Sequence, residues 1–320
     1  MDFLNSSTDL IRIVFLIGAV LALMCKKWFG ITPGGIIVPG VLACVLFSSF
    51  VAFAIILATS LLCWLIYKYF LSNFALSNHW TSLLMISISV FLSLAELAAI
   101  KRFNILNQET MLLSMIIPGL VAISAKKYGL SRVLAAMSAT TALSFVSGVV
   151  ILAVVPYYSL SYFSVRLGEF TPLTLANPQL SLTASLLMAL IIYHRFGIRS
   201  GGYMIAPFLA AVLYVAPIEF ILLAIGVMLS YFTVQFIQRR TLIVGLERFV
   251  ISLFCGYFVV SAIDLIAITV GINDYHPAPL VLIIAIAVLT NDLCLQPIKA
   301  TLAKGFSPAL LASFVARLAA

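Results

Sequence analysis

The chain has 320 residues, 64% of them hydrophobic and 9% charged, with a mean hydropathy of +1.22. Soluble domains run nearer half apolar and a quarter charged, which excludes an ordinary cytosolic enzyme. The formal charge of +8 comes from 18 Lys and Arg against 10 Asp and Glu, and basic residues at the joints between apolar runs orient a membrane protein rather than signal nucleic-acid binding.

The N-terminus reads Met-Asp-Phe-Leu and lacks the basic start of a signal peptide, so the apolar run Leu10–Cys25, closed by Lys26-Lys27, is expected to be a retained first helix. Further apolar runs lie at about 36–50, 51–67, 81–99, 110–125, 133–155, 179–193, 203–216, 218–237, 249–270, 278–298 and 307–320. A crossing takes roughly 20 residues, so this pattern predicts an all-α polytopic protein of about twelve membrane segments. The short runs 36–50, 203–216 and 307–320 are either crossings or re-entrant half-helices packed against protein.

With twelve crossings, thirteen basic residues from Lys26 to Lys304 share one side, and only Lys101, Arg102 and Arg166 face the other. That asymmetry places the rich face in the cytoplasm and both termini outside. The joint at about Pro156–Pro178 then lies outside, its tyrosines suited to the interfacial belt.

The chain also resembles itself. Trp28-Phe29-Gly30-Ile31-Thr32-Pro33-Gly34-Gly35 stands beside Arg195-Phe196-Gly197-Ile198-Arg199-Ser200-Gly201-Gly202, 167 residues on, and each copy continues into a proline-containing apolar run. Six spans per copy is an even number, so the halves 1–160 and 161–320 are expected to be parallel repeats about an axis along the membrane normal.

Glu96 and Asp264 fall in the fourth and tenth runs, and Asn291-Asp292 in the eleventh. Carboxylates at membrane depth are costly and normally face the bundle interior, water or a cation, although Glu96, close to Lys101 and Arg102, also reads as solvated at an interface. Spans are interrupted at Pro33-Gly34-Gly35, Pro39-Gly40, Pro118-Gly119, Gly201-Gly202 and Pro207. Proline removes a backbone donor and glycine permits close approach, so such breaks mark a site, a re-entrant element or tight helix packing. The five cysteines lie in apolar runs without CxxC, and the three histidines lack metal-ligand spacing, so neither a disulfide framework nor a metal site is expected. No phosphate-binding loop, nucleophile elbow or HExxH is present, and no catalytic residue is assigned.

The run Phe29-Gly30-Ile31-Thr32-Pro33-Gly34-Gly35-Ile36-Ile37-Val38-Pro39-Gly40-Val41-Leu42-Ala43 resembles the signature of the PgsC/CapC family, the integral-membrane subunits of bacterial poly-γ-glutamate synthases. Ile117-Pro118-Gly119-Leu120-Val121-Ala122, followed by Lys126-Lys127-Tyr128-Gly129-Leu130, is similar to that family's second Pro-Gly motif and basic turn. Gly245-Leu246-Glu247-Arg248-Phe249, with Asp264 beyond, resembles its intervening charged segment, and the chain looks like two such units in tandem. The resemblance implies a subunit of a capsule-type polymer synthase and export complex. It would anchor a PgsB/CapB-like ATP-dependent amide ligase, which binds the ATP and Mg, and would work with a PgsA/CapA-like extracytoplasmic subunit on a polyanionic polymer.

The residues expected to meet polymer or partner are Pro33, Gly34, Gly35, Pro39, Gly40, Pro118, Gly119, Lys126, Lys127, Arg195, Arg199, Gly201, Gly202 and Arg248. Two competing readings are a stand-alone secondary transporter using Glu96, Asp264 and Asp292, and a purely structural membrane anchor.

Overall fold

Lys26 and Lys27 end an apolar run without ending its helix, because a cation at a helix C-terminus complements the backbone dipole. In the computed structural model the first helix, α1, accordingly spans Ser7–Phe29. The structure describes residues 7–74, 78–103, 116–154, 217–270 and 280–295. Their α-helices continue as α2 (Val38–Ser48), α3 (Phe50–Tyr69), α4 (Asn78–Phe103), α5 (Ile117–Tyr128), α6 (Leu130–Val154), α7 (Pro217–Arg240), α8 (Leu246–Val270) and α9 (Leu280–Leu295), with a 3₁₀ turn at Leu71–Asn73. Among the described residues there are no strands. Nine predicted apolar runs overlie these helices; the runs 179–193, 203–216 and 307–320 and the joint Pro156–Pro178 lie outside the described residues.

Three stretches, Phe50–Asn73, Leu130–Val154 and Leu246–Ile266, are long and apolar enough to cross a membrane, while Val38–Phe47, Trp80–Ser93 and Leu282–Leu295 are shorter apolar helices. Their outward faces carry large apolar side chains, such as Leu61 and Leu62 on α3 and Leu143, Val146 and Val150 on α6. Such faces are costly in water and suited to lipid.

The chain divides into two compact units, Met1–Gly168 and Glu169–Ala320. In the first, α1 packs on α2 and α6, and α5 packs on α3 and α4. Ser49 alone separates α2 from α3: its N–H closes the last turn of α2 on Val45 O (2.8 Å), and its hydroxyl accepts from Ala52 N–H (3.2 Å) to cap α3. The predicted runs 36–50 and 51–67 divide within two residues of this cap. In the second unit α7, α8 and α9 pack on one another pairwise, and Gly256 of α8 admits α9 so closely that an added Cβ would lie 3.2 Å from Ile283 O.

Candidate functional site

Between α1 and α2 the chain runs through Gly30–Ile37 without regular structure. Gly30 N–H bonds back to Lys26 O (3.0 Å), and Lys26 Nζ donates to Gly30 O (2.7 Å). Two residues on, Gly34 N–H bonds Thr32 O (2.9 Å) in a tight turn with φ +77°. An L side chain is disfavoured at that φ, and a Cβ there would lie 3.0 Å from both Val38 and Val121. Gly34 is therefore required for shape and for space, and it is where the start of α2 and the second turn of α5 converge.

The two Pro-Gly pairs open helices. Pro39 and Pro118 occupy the first turns of α2 and α5, where the missing N–H costs nothing, and neither helix start is capped by a side chain. The following glycines serve packing. A Cβ on Gly40 would meet Phe15 O at 2.4 Å, and one on Gly18 would meet Gly40 Cα at 2.3 Å, so α1 and α2 touch backbone to backbone. A Cβ on Gly119 would lie 2.9 Å from Ile86 Cα of α4, and Gly119 N–H donates to Ser89 Oγ (3.0 Å). The predicted breaks at Pro33–Gly35, Pro39-Gly40 and Pro118-Gly119 thus resolve into one turn and two crossing points.

At the ends of α1, α3 and α5 the basic and aromatic residues interleave. Lys26 Nζ bonds Tyr128 Oη (2.9 Å) and lies 5.0 Å from the ring centre, while Lys127 Nζ stands 5.1 Å from the same ring. Lys126 Nζ lies over Tyr67 (5.4 Å), and Lys68 Nζ over Trp64 (5.1 Å) and Tyr69 (5.6 Å). The gathered cations offer an anion a surface of several charges already oriented by ring faces. Lys126 and Lys127 were legible in the sequence, with Tyr128 in the same motif; Tyr67 was not, since a tyrosine beside a lysine at the end of an apolar run reads equally as interfacial belt.

Burial alone would raise the Tyr128 phenol, but hydrogen bonds donated by Lys26, Lys127 and Thr32, with the nearby Lys26 charge, hold it below its ordinary value. The depressed value favours the phenolate in the folded protein, a contribution present above the ordinary tyrosine range and lost as pH falls through the folded value. In an ultraviolet difference titration of the protein against Tyr128→Phe, one of the 12 tyrosines is expected to ionise early. Lys26→Met is expected to move that phase to higher pH; an unchanged phase would refute the assignment to Lys26.

In the second unit Arg248 is buried near the start of α8, and its Nε donates to Asn291 Oδ1 of α9 (3.0 Å). Asp264 on α8 and Asp292 on α9 are also buried. Glu96 falls on α4. Arg195, Arg199, Gly201 and Gly202 lie outside the described residues, as does Pro207. Arg12, buried at 2% exposure in α1, received no role from the sequence, where one arginine in an apolar run was its only signal. Replacing Asn291 with leucine is expected to cost about 1–2 kcal/mol by stranding the buried Arg248 donor, read as a lower unfolding temperature in detergent. Unaltered stability would mean that the bond contributes nothing. The five cysteines are free thiols, and among the described residues no group of three or more His, Cys, Asp or Glu gathers to hold a metal.

The family model for Capsule biosynthesis CapC matches this chain twice, over residues 17–134 and 184–302. The chain belongs to the CapC family. The PGA biosynthesis protein CapC of Bacillus subtilis (strain 168) is 33% identical over 122 residues, which cover 37% of this chain and 80% of that protein. No solved structure matches. The first CapC match contains Gly34, both Pro-Gly crossings and the Lys126-Lys127 turn, and the second contains Arg248, Asp264 and Asp292. With its apolar helices, this CapC-family chain is an α-helical membrane protein.

Proposed function

We propose that this chain is the membrane subunit of a complex that makes and exports poly-γ-glutamate or a related amide-linked polyanion. Its two halves would be tandem CapC-like units in the bacterial inner membrane, about twelve crossings in all, with both termini outside and the lysine-rich end in the cytoplasm. A PgsB/CapB-like ligase, carrying ATP and Mg, would dock at that end, and a PgsA/CapA-like subunit on the far side. The reading is carried by the convergence of Lys26, Lys126 and Lys127 at one end of a scaffold that matches the CapC family. Each exposed lysine attracts a carboxylate by less than about 1 kcal/mol, but several within a Debye length of about 8 Å act together on a polyanion.

The test is purification of the tagged chain in mild detergent from its own host. A co-purifying ATP-dependent ligase that forms amide-linked polymer is the expected result. Recovery of the chain without a ligase, together with uptake of a small solute by the chain alone in liposomes, would replace this reading with a stand-alone carrier.

A further inference from the structure

The first unit carries a repeat shorter than the one visible in the sequence. A shift of 71 residues takes Leu10, Val14, Phe15, Ala19 and Ala22 of α1 onto Thr81, Met85, Ile86, Val90 and Ser93 of α4, and all ten are buried. A shift of 81 takes Ala52, Ile56, Thr59, Ser60 and Cys63 of α3 onto Val133, Met137, Thr140, Thr141 and Ser144 of α6, again all buried. Between them a shift of 79 superposes Pro39-Gly40 on Pro118-Gly119 and Ala43 on Ala122.

The contacts follow the same shifts. Gly40 crosses α1 at Phe15 and Gly18; Gly119 crosses α4 at Ile86 and Ser89, the mates of those two residues. Phe47 of α2 abuts Gly148 of α6, where an added Cβ would sit 2.8 Å from its ring, and the mates of that pair, Lys126 and Tyr67, also meet, at 5.4 Å. Each copy is therefore a long helix, a short Pro-Gly helix and a long helix. Direction is settled by the lysine end. Lys26 closes α1 against Tyr128, Lys126 reaches Tyr67 near the end of α3, and Tyr67 and Leu71 pack on the cluster that holds Met85 in the first half of α4. Since α1 ends where α4 begins, the two copies run antiparallel, as an odd number of crossings requires.

We propose that residues 7–154 are two inverted copies of one three-helix motif, and that α2 and α5 are the matched moving halves of a passage for a carboxylate-bearing chain. The choice of cargo rests on the function proposed above; the inversion does not. Inverted repeats exchange conformations to give two states open to opposite faces, with cargo meeting discontinuous helices between them. Here the start of α2 and the second turn of α5 converge on Gly34, and their glycines set each short helix backbone to backbone on its long neighbour, with no side chain interlocking between them. The two ends differ in chemistry. Lysine and tyrosine occupy one, while at the other Phe47 stacks on Phe145 with ring centres 4.2 Å apart. An anion is thus collected at the basic end, and the aromatic pair closes the opposite one.

Two measurements on the full chain, with its five native cysteines replaced by serine, test this. Phe50 and Ser131 are mates immediately beyond α2 and α5, both exposed. An impermeant maleimide applied to intact spheroplasts is expected to modify Phe50→Cys and not Ser131→Cys until the membrane is opened. Labelling of both from one face would overturn the inversion, whatever the polymer is. In cells making polymer, bridging Phe47→Cys to Phe145→Cys with a short bis-thiosulfonate is expected to cut extracellular polymer at least tenfold, with recovery on reduction. Export that continues at the unbridged rate after complete bridging, or a loss that reduction does not restore, would overturn the passage. Absence of polymer from unbridged cells would instead count against the function proposed above.

Discussion

Gly40→Val is expected to be among the most damaging single changes in the first unit, costing about 3 kcal/mol and lowering the amount of folded protein in the membrane. The first added carbon alone would lie 2.4 Å from Phe15 O, and the obstacle is backbone, with no rotamer to yield. Prying α1 from α2 would also disturb the Cys44 Sγ contact to Ile11 O (3.5 Å) one turn further on. Gly119→Ala should cost less, since its nearest atom, Ile86 Cα, is 2.9 Å away. Gly30→Ala should cost only about 1–2 kcal/mol, the penalty of an L side chain at φ +72° with nothing within 4 Å. Unfolding temperatures in detergent for the three variants check the order. Equal tolerance at positions 30 and 40 would show that the two helices do not meet as closely as described.

Lys126→Glu combined with Lys127→Glu is expected to reduce ligase association and polymer yield at least tenfold while leaving the protein in the membrane. Two cations become two anions on the surface that would face a polyanion and its synthase. The contacts of Lys126 with Tyr67 and of Lys127 with Tyr128 are lost as well, each worth about 0.5–1 kcal/mol where exposed. A tenfold change in association corresponds to about 1.4 kcal/mol, within reach of reversing two charges each worth up to about 1 kcal/mol against an anion. Salt separates this from misfolding: raising ionic strength should weaken ligase binding to the unaltered protein in the same direction. Normal polymer yield from the double variant would remove the lysine turn from the functional surface.

The predicted runs and the observed helices differ mainly at their ends. The run 218–237 becomes Pro217–Arg240, and Leu10–Cys25 becomes Ser7–Phe29, because hydropathy stops at the first charge whereas a helix tolerates lysine and arginine in its last turn. At Ser49 the predicted boundary between the runs 36–50 and 51–67 lies within two residues of the break that the cap makes. The Pro-Gly pairs were readable as interruptions, but their partners were not: nothing in the local sequence tells that Gly40 needs Phe15 and Gly18, or that Gly119 needs Ser89. Those pairings span 22 to 30 residues and are made by tertiary packing. Likewise Arg248 was singled out from its charged segment, whereas its bond to Asn291 depends on α8 packing against α9.

Composition and spacing determined by themselves that this chain is helical and membrane-borne, and its glycine, proline and lysine motifs carried the resemblance to its family, because burial in lipid and backbone geometry act residue by residue. Tertiary structure alone decided that the lysines of α1, α3 and α5 share one end and that the two Pro-Gly helices are mates. Both follow from helix direction and depth, which contacts between distant segments set and no local pattern records.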